Sequence, residues 1–196
     1  MRLTADRSAA LVIAASAGER WAWEALVDSY AGLIWAITRN YRLSSGDAAD
    51  VSQTTWLRLV ESIDSIEDPS RVGAWLATTA RRECLRVLGL GRRSILVGET
   101  EQLEDGRAVF VELDANLLAE ERDDDLRHAV AALPPRCRQL LQLLMLDPPP
   151  SYEEVSAALS MPIGSIGPTR GRCLRRLREI LTAEGIAGGD HSIFDV

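Results

Sequence analysis

Residues 151–181 limit the possible folds more than any other stretch, because they predict two helices joined by a tight turn. Ser151, followed three residues later by Glu154, forms a capping box that gives the first helix a defined start. In the second helix, apolar residues recur at spacings of three and four, which indicates one buried face. A helix with one buried apolar face and one exposed cationic face is typical of helices that bind in the DNA major groove. The polar and basic side chains of its other face are Ser165, Thr169, Arg172 and Arg176, with Arg170, Arg175 and Arg178 around them.

Pro168 decides where the second helix is expected to begin. A proline inside a helix removes a hydrogen bond and clashes with the preceding turn. With Ser165 as N-cap, Pro168 falls in the first turn, where its missing N–H has no intrahelical partner anyway. We therefore predict a start at Ser165, or else a kink at Pro168. An arginine-rich face can also be merely solvated, but the capped helix and the turn at residues 161–164 favour DNA binding.

The net charge of −7 is distributed unevenly along the chain. Residues 99–125 carry 11 acids and 2 arginines, whereas the segments on either side each carry a net charge of +1. We predict that the central segment is an extended, flexible linker, although Val109–Val111 and Leu113 could pack, and residues 108–113 are the only strand candidate. The expected organisation is a first domain over residues 1–95, an acidic linker over 96–121, a second domain over 122–184 and a tail over 185–196.

Three further helices are predicted in the N-terminal half, over residues 18–41, 47–62 and 70–90, so that the whole chain is expected to be all-α. In the second of them, Ala48, Val51, Thr55 and Leu59 should face inward together with the pair Trp56 and Val60. In the third, the buried side should consist of Ala74, Ala77, Ala80, Cys84, Leu85 and Leu88.

Composition excludes several classes of protein. No run of eighteen apolar residues is present, so we expect no membrane insertion, and the N-terminus lacks the pattern of a secretory signal. The three cysteines, Cys84, Cys137 and Cys173, are interpreted as small buried residues in a reducing cytoplasm. With two histidines, no phosphate loop and no metal-ligand spacing, neither catalysis nor a metal or other cofactor is expected. All 22 basic residues are arginine, which we attribute to a GC-rich genome.

Trp75 and the pair Arg81 and Arg82 admit two interpretations. As structural residues, a tryptophan on an amphipathic helix belongs to the core and two arginines are solvated. As functional residues, an exposed aromatic ring beside guanidinium groups stacks on unpaired bases and holds a single strand.

Four segments follow one another in the order and spacing of one known family. They are GERWAWEALVDSYAGLIWAITRNY, DAADVSQTTWLRLVESID, GAWLATTARRECLRVL and ALPPRCRQLLQLLMLDPPPSYEEVSAALSMPIGSIGPTRGRCLRRLREIL. On these segments the chain resembles the extracytoplasmic-function (group IV) sigma factors of bacterial RNA polymerase. Residues 18–93 resemble the second conserved domain of the family, sigma region 2, and residues 122–183 resemble its fourth, a helix-turn-helix. The third domain of larger sigma factors has no counterpart here.

The resemblance implies a role for each region. Polymerase binding, at the clamp of the β′ subunit, would fall to Asp47, Asp50, Gln53 and Trp56. Recognition and melting of the −10 element would fall to Asp64, Ser65, Arg71, Trp75, Arg81, Arg82 and Arg86. Recognition of the −35 element would fall to Ser165, Gly167, Pro168, Thr169, Arg170, Arg172, Arg175 and Arg176. The acidic segment would thread the active-site cleft of the polymerase.

The sequence departs from the family at two places. The third helix has Glu83 after Arg82, where relatives often have asparagine, and the fourth segment has Gly167, Pro168 and Gly171. The −10 and −35 sequences are therefore not carried over.

The expected function is that of a cytoplasmic sigma factor, which binds core RNA polymerase through the β′ clamp and the β subunit. Its other partners would be promoter DNA, both duplex and single-stranded, and an anti-sigma factor. The alternative is a stand-alone helix-turn-helix transcriptional regulator, whose N-terminal domain would need a ligand pocket or a dimerisation helix. An enzyme is the third and least favoured class.

Overall fold

The computed structural model describes residues 4–95 and 126–183, and every regular element within these ranges is helical. The prediction of an all-α fold is confirmed. The strand candidate at 108–113, the predicted acidic linker and the C-terminal tail lie outside the described residues. No described helix is both long and apolar enough to span a membrane. The elements are α1 (Ala5–Ser16), α2 (Arg20–Asn40), α3 (Ser45–Ser62), the 3-10 turns Ile63–Ser65 and Pro69–Arg71, α4 (Val72–Ile95), α5 (126–132), α6 (Pro135–Leu144), α7 (Tyr152–Leu159) and α8 (Ile163–Ala183).

Helix α1 is an element that the sequence reasoning missed. Thr4 caps it, since its hydroxyl accepts the backbone N–H of Arg7 at 3.3 Å. The hydroxyl of Ser8 lies 2.9 Å from that of Tyr30, and the indole N–H of Trp23 donates to the carbonyl of Ala15 at 3.0 Å. These two bonds fix α1 to α2. The sequence does contain a signal for this helix. Thr4 is a residue type favoured at N-caps, and it is followed by the apolar residues Leu11, Val12 and Ala15, which are buried.

Helices α2, α3 and α4 form most of the first core. The predicted inward residues Ala48, Val51, Thr55 and Leu59 of α3 are buried, and α2 buries Leu26, Leu33, Ile34 and Ile37. Val60 was expected inside but is 56 % exposed, because it lies about 100° around the helix from the buried line that ends at Leu59.

The inward face of α4 is also partly corrected. Ala77, Ala80 and Cys84 are fully buried and Ala74 is half-buried, but Leu85 and Leu88 are exposed. Among the described side chains of this helix, Cys84 is the last fully buried apolar one, Val87 beyond it is partly buried against the first core, and the helix continues to Ile95.

Two compact units account for the described residues. Residues 4–95 group with 142–166, and residues 126–141 group with 167–183. The core of the first unit includes Leu143 and Ala158, which is why the segment around α7 belongs with the N-terminal helices. The predicted domain boundaries differ from these two units, because they place the whole of residues 122–184 in one domain. They stay a prediction about which parts of the chain function together.

The second unit has a small core with a disulfide in it. Ala129, Leu133, Leu141 and Leu177 are buried there with Cys173. Cys173 is bonded to Cys137, and their Cα atoms are 5.3 Å apart. The interpretation of all three cysteines as unpaired was wrong, because a separation of 36 residues gives no sign that α6 and α8 bring the two side chains together. Cys84 is a free, buried thiol in the first unit.

The turn before α8 differs from the prediction at one point. The capping box of α7 is present, with the Ser151 side chain accepting the N–H of Glu154 and Glu154 accepting that of Ser151. Helix α8 begins at Ile163 rather than Ser165, because the N–H and hydroxyl of Ser165 both donate to the carbonyl of Pro162, at 2.9 and 2.7 Å. Pro168 consequently lies inside the helix and beyond its first turn.

Candidate functional site

The predicted polymerase-binding residues follow a spiral along α3, each about 60° around the helix axis from the one before it. Asp47, Asp50 and Gln53 recur every three residues and are exposed. Ser44 caps the helix, its hydroxyl accepting the N–H of Asp47 at 3.1 Å and donating to the Asp47 carboxylate at 2.8 Å. Trp56 is half-buried and packs against the first core, so it anchors the end of this surface while part of its ring stays accessible. The arrangement is a small acidic and amide surface on a rigid helix.

The loop between α3 and α4 holds two of the predicted −10 residues in an exposed position. Asp64 and Ser65 are both exposed in the first 3-10 turn, and the Ser65 hydroxyl donates to the carbonyl of Ser62 at 2.8 Å. The second 3-10 turn is capped by Asp68, whose carboxylate accepts the N–H of Ser70 at 3.1 Å. Short turns capped in this way define the backbone of the loop that leads into α4.

Arg71 and Trp75 stand at the start of α4 in different environments. Arg71 is exposed, and its Nε lies 3.2 Å from a carboxylate oxygen of Glu153 in α7. Trp75 is half-buried and packs against the first core, which supports its structural interpretation without removing its accessible edge. Stacking of this ring on a base stays a prediction.

The other three arginines predicted to contact the −10 element, all on α4, differ in how many partners hold their side chains. Arg81 is half-buried and hydrogen-bonded to the hydroxyl of Tyr41. Burial raises the pKa of Tyr41, while the adjacent Arg81 charge opposes that rise. Arg86 donates through Nε to Glu83 at 2.6 Å. Arg82 is exposed, and its side chain has no ion pair or hydrogen bond within the described residues, so it is the most available cation of the three.

Glu83 is a site residue that the sequence reasoning noticed only as a departure from the family. It is 8 % exposed, and its carboxylate binds Arg86 on one side while Arg58 of α3 approaches to 3.9 Å on the other. A nearly buried carboxylate requires such partners, because an unpaired charge there would be costly. Glu83 therefore positions Arg86 and links α4 to α3.

The predicted −35 residues lie on the exposed parts of α8. Gly167, Pro168, Arg172, Arg175 and Arg176 are exposed, whereas Ser165, Thr169 and Arg170 are half-buried. One guanidinium nitrogen of Arg172 donates to the hydroxyl of Thr169 at 2.9 Å, and Arg176 pairs with Glu179 at 3.0 Å. Cys173 and Leu177 point into the second core, and Arg172 and Arg176, one position before each of them, lie about 100° away around the helix on its exposed flank.

No cluster of histidine, cysteine and carboxylate side chains that could hold a metal ion occurs among the described residues. The described site thus consists of two surfaces: an acidic and basic one on α3 and α4, and a basic one on α8.

A known family matches the part of the chain that carries the first of these surfaces. Residues 26–93 match the family Sigma-70 region 2. The helices between residues 26 and 93 thus resemble a Sigma-70 region 2 domain. This domain comprises α3, both 3-10 turns and most of α2 and α4, and therefore all of the predicted polymerase-binding and −10 residues.

Curated relatives extend the similarity beyond region 2. The chain is 28 % identical over 166 residues to the ECF RNA polymerase sigma factor SigE of Mycolicibacterium smegmatis, which covers 81 % of this chain and 61 % of that protein. It is 29 % identical over 156 residues to the ECF RNA polymerase sigma-E factors of Salmonella typhimurium and Escherichia coli K12, covering 76 % of this chain and 81 % of each relative. The chain thus spans less than two thirds of the mycobacterial relative.

Two solved structures share the fold. One is CnrH in complex with the cytosolic domain of CnrY, with a TM-score of 0.55 and 18 % identity, covering 90 % of this chain and 98 % of that one. The other is the sigma factor RpoE in complex with the anti-sigma factor NepR from Bartonella quintana, with a TM-score of 0.54 and 22 % identity, covering 83 % and 98 %. At these sequence identities the similarity shows a shared fold, which agrees with the all-helical architecture of the described residues.

Proposed function

We propose that this chain is a sigma factor of the extracytoplasmic-function type, group IV, which recruits core RNA polymerase to promoters and starts transcription there. The observation that carries the proposal is the region 2 domain at residues 26–93, followed in the same chain by the capped helix α7 and the arginine-bearing helix α8. The role is a binding role without catalysis, and it takes place with the polymerase in the cytoplasm.

Core polymerase would bind the exposed face of α3. Asp50 and Gln53 project from a helix whose opposite side, with Val51 and Thr55, is buried, so that they can contact a partner without disturbing the core. Trp56 adds an aromatic edge, a type of residue enriched at interface centres. The contacted surfaces would belong to the β′ clamp and the β subunit.

Promoter opening would use the loop around Asp64 and Ser65 together with α4. A flipped base loses stacking and pairing worth a few kcal/mol, which a pocket and an aromatic contact can offset. Arg82, exposed and without an ion partner within the described residues, would hold the phosphate backbone of the single strand. Arg71 and Arg86 are available for the same task only after they leave Glu153 and Glu83.

The −35 element would be read by α8. Arginine is the side chain that most often contacts guanine in the major groove, through two parallel hydrogen bonds. Arg172 and Arg176 lie four residues apart, about one helical turn, and each is exposed, so both can reach the same groove. Arg175 and Arg170 would add contacts to phosphates.

An anti-sigma factor is the third partner that we propose. The two fold neighbours are each described in a complex, one of them with the anti-sigma factor NepR. The exposed apolar side chains Leu57, Val60, Leu85 and Leu88 on α3 and α4 would suit a protein partner.

The deciding experiment is purification with core RNA polymerase followed by run-off transcription on fragments of the source genome. A stable complex that initiates at discrete promoters would establish the function. Tight, sequence-specific binding to duplex DNA by the free chain, unchanged by polymerase, would instead favour the stand-alone regulator. That alternative is not favoured, because a region 2 domain occupies the place where such a regulator would carry a ligand pocket or a dimerisation helix.

A further inference from the structure

The disulfide between Cys137 and Cys173 joins the helix that carries the basic −35 surface to the helix behind it. Cys173 follows Arg172 directly and lies one turn from both Thr169 and Arg176, but it faces the second core and is fully buried. Cys137 lies on α6 and is half-buried. The bond is therefore a covalent tether at the back of the surface that would contact DNA.

The second core is small enough for this tether to matter. The buried residues of this cluster are Ala129, Leu133, Leu141, Cys173 and Leu177, and the other apolar residues of α8 that pack against them, such as Leu174 and Ile180, are only partly buried, so the apolar core behind α8 is small. Small cores commonly need such a covalent link to reach useful stability. The bond also closes a loop of 36 residues, which restricts the unfolded chain.

The third cysteine does not compete for this pairing. Cys84 belongs to the core of the first unit and is fully buried, and burial raises the pKa of its thiol to about 12. A thiol that stays neutral at physiological pH is a poor nucleophile toward a disulfide. Because the chain has three cysteines, the pair Cys137 and Cys173 can open and close without a rival from within the chain.

We propose that Cys137 and Cys173 form a reversible redox switch that sets how firmly α8 is held and hence how well the chain binds duplex −35 DNA. The inference rests on the proposed function, which places the chain in a reducing compartment, where disulfides usually serve as sensors rather than as permanent links. In the oxidising step a peroxide takes two electrons and two protons from the two thiols, yielding one disulfide and, from hydrogen peroxide, two waters. A dithiol reductant reverses it by supplying two electrons and two protons. The oxidised form is the one that binds DNA firmly.

The first arm of the test measures the switch on the full chain without DNA. The protein is treated with hydrogen peroxide or dithiothreitol, then denatured and alkylated, and its mass is read. We expect one alkylated thiol after oxidation and three after reduction. Reduction should speed amide hydrogen exchange in α8 and lower the melting temperature of the second unit by on the order of 10 °C. Three alkylated thiols after peroxide, or equal exchange in α8 in both forms, would overturn the proposal.

The second arm measures DNA binding with the holoenzyme. Reduction should weaken binding to a duplex −35 fragment several-fold and leave binding to a pre-melted −10 template unchanged. Cys137→Ser should behave as the reduced form under all conditions, and Cys84→Ala should retain the full redox response. If the holoenzyme binds no promoter but amide hydrogen exchange in α8 still responds to peroxide, the sigma-factor function is refuted and the redox switch is not. Equal −35 binding in both redox forms would refute the switch.

Discussion

The Nε atom of Arg71, just before α4, lies 3.2 Å from a carboxylate oxygen of Glu153 in α7, a residue 82 positions further along the chain. The side chains are 55 % and 48 % exposed, so this ion pair contributes only about 0.2–1 kcal/mol. Its importance lies in the identity of Arg71, one of the residues expected to contact the −10 element. In the folded chain that arginine is already partly neutralised by an acidic residue of α7.

Removing the charge of Glu153 should therefore release Arg71. For Glu153→Gln we expect the free chain to bind single-stranded DNA carrying its −10 element about two- to fivefold more tightly, which matches the energy of an exposed ion pair. Fluorescence anisotropy at low salt measures the affinity. The control is Glu61→Gln, which removes a comparable exposed partner, that of Arg58 at 3.7 Å. An equal gain in both variants would reflect the net charge rather than Arg71.

Gly73 allows α7 to approach α4 closely at the same place. A Cβ atom there would overlap the carboxylate of Glu154 and lie 2.7 Å from a ring carbon of Tyr30. We expect Gly73→Ala to lower the free energy of unfolding by about 1–3 kcal/mol, the usual cost of an overfilled site. Urea denaturation of the full chain measures it. Gly32→Ala is the control, because no atom lies within 4 Å of its Cβ and alanine favours the helix, so it should be neutral or stabilising.

Local features of this fold could be predicted from the sequence, and long-range ones could not. The helix α2 follows from the spacing of Leu26, Leu33 and Ile37, and the start of α7 follows from Ser151 and Glu154, because both depend on residues within a few positions of each other. The site was predictable to the same extent: the exposed faces of α3 and α8 were recognised from their own patterns.

Side chains that meet across long separations were not predictable in the same way. The partners of Arg71 and of Cys137 depend on which helices pack together, and a single sequence does not reveal that. The same holds for the burial of Glu83 between two arginines. The start of α8 was missed for a more local reason. The Ser165 hydroxyl can donate a hydrogen bond to the carbonyl of Pro162, three residues earlier, as readily as it can accept one as an N-cap.

The exposed face of α3 should be required for polymerase binding and dispensable for folding. Asp50→Arg combined with Gln53→Ala should weaken binding to core polymerase at least tenfold, while the melting temperature changes little, because both side chains are exposed. Affinity is measured by fluorescence titration with labelled chain. Asp28→Arg, a charge reversal at an exposed position of α2, is the matched control and should bind normally. Unchanged binding of the double variant would place the interface elsewhere.

The basic surface of α8 should act on duplex DNA and not on strand opening. Arg172→Ala should cost about 1–3 kcal/mol of discrimination at one −35 position if its guanidinium reads a guanine. Transcription by this variant should recover in part on a template whose −10 region is already melted. Arg178→Ala, on the same helix but about three and a half turns beyond Ser165, should lose less specificity. Competition assays with single-base −35 variants distinguish a base contact from a phosphate contact, because the latter weakens all sequences alike.

Cys84 should make the folded chain sensitive to alkaline pH. Burial raises the pKa of its thiol from 9.0 to about 12, with the nearby charge of Glu83 acting in the same direction. In the unfolded chain the thiol ionises near its ordinary value, so the unfolded state gains a favourable charge that the folded state resists. The stability associated with Cys84 is therefore complete below pH 9 and is lost as the pH rises from 9 toward about 12.

Urea denaturation at about pH 8 and about pH 10.5 should show a smaller alkaline loss of stability in Cys84→Ala than in the parent chain. Tyr41, whose pKa burial also raises, is present in both proteins, so its contribution cancels in the comparison. Parallel losses in the two proteins would mean that the thiolate is already tolerated in the folded core.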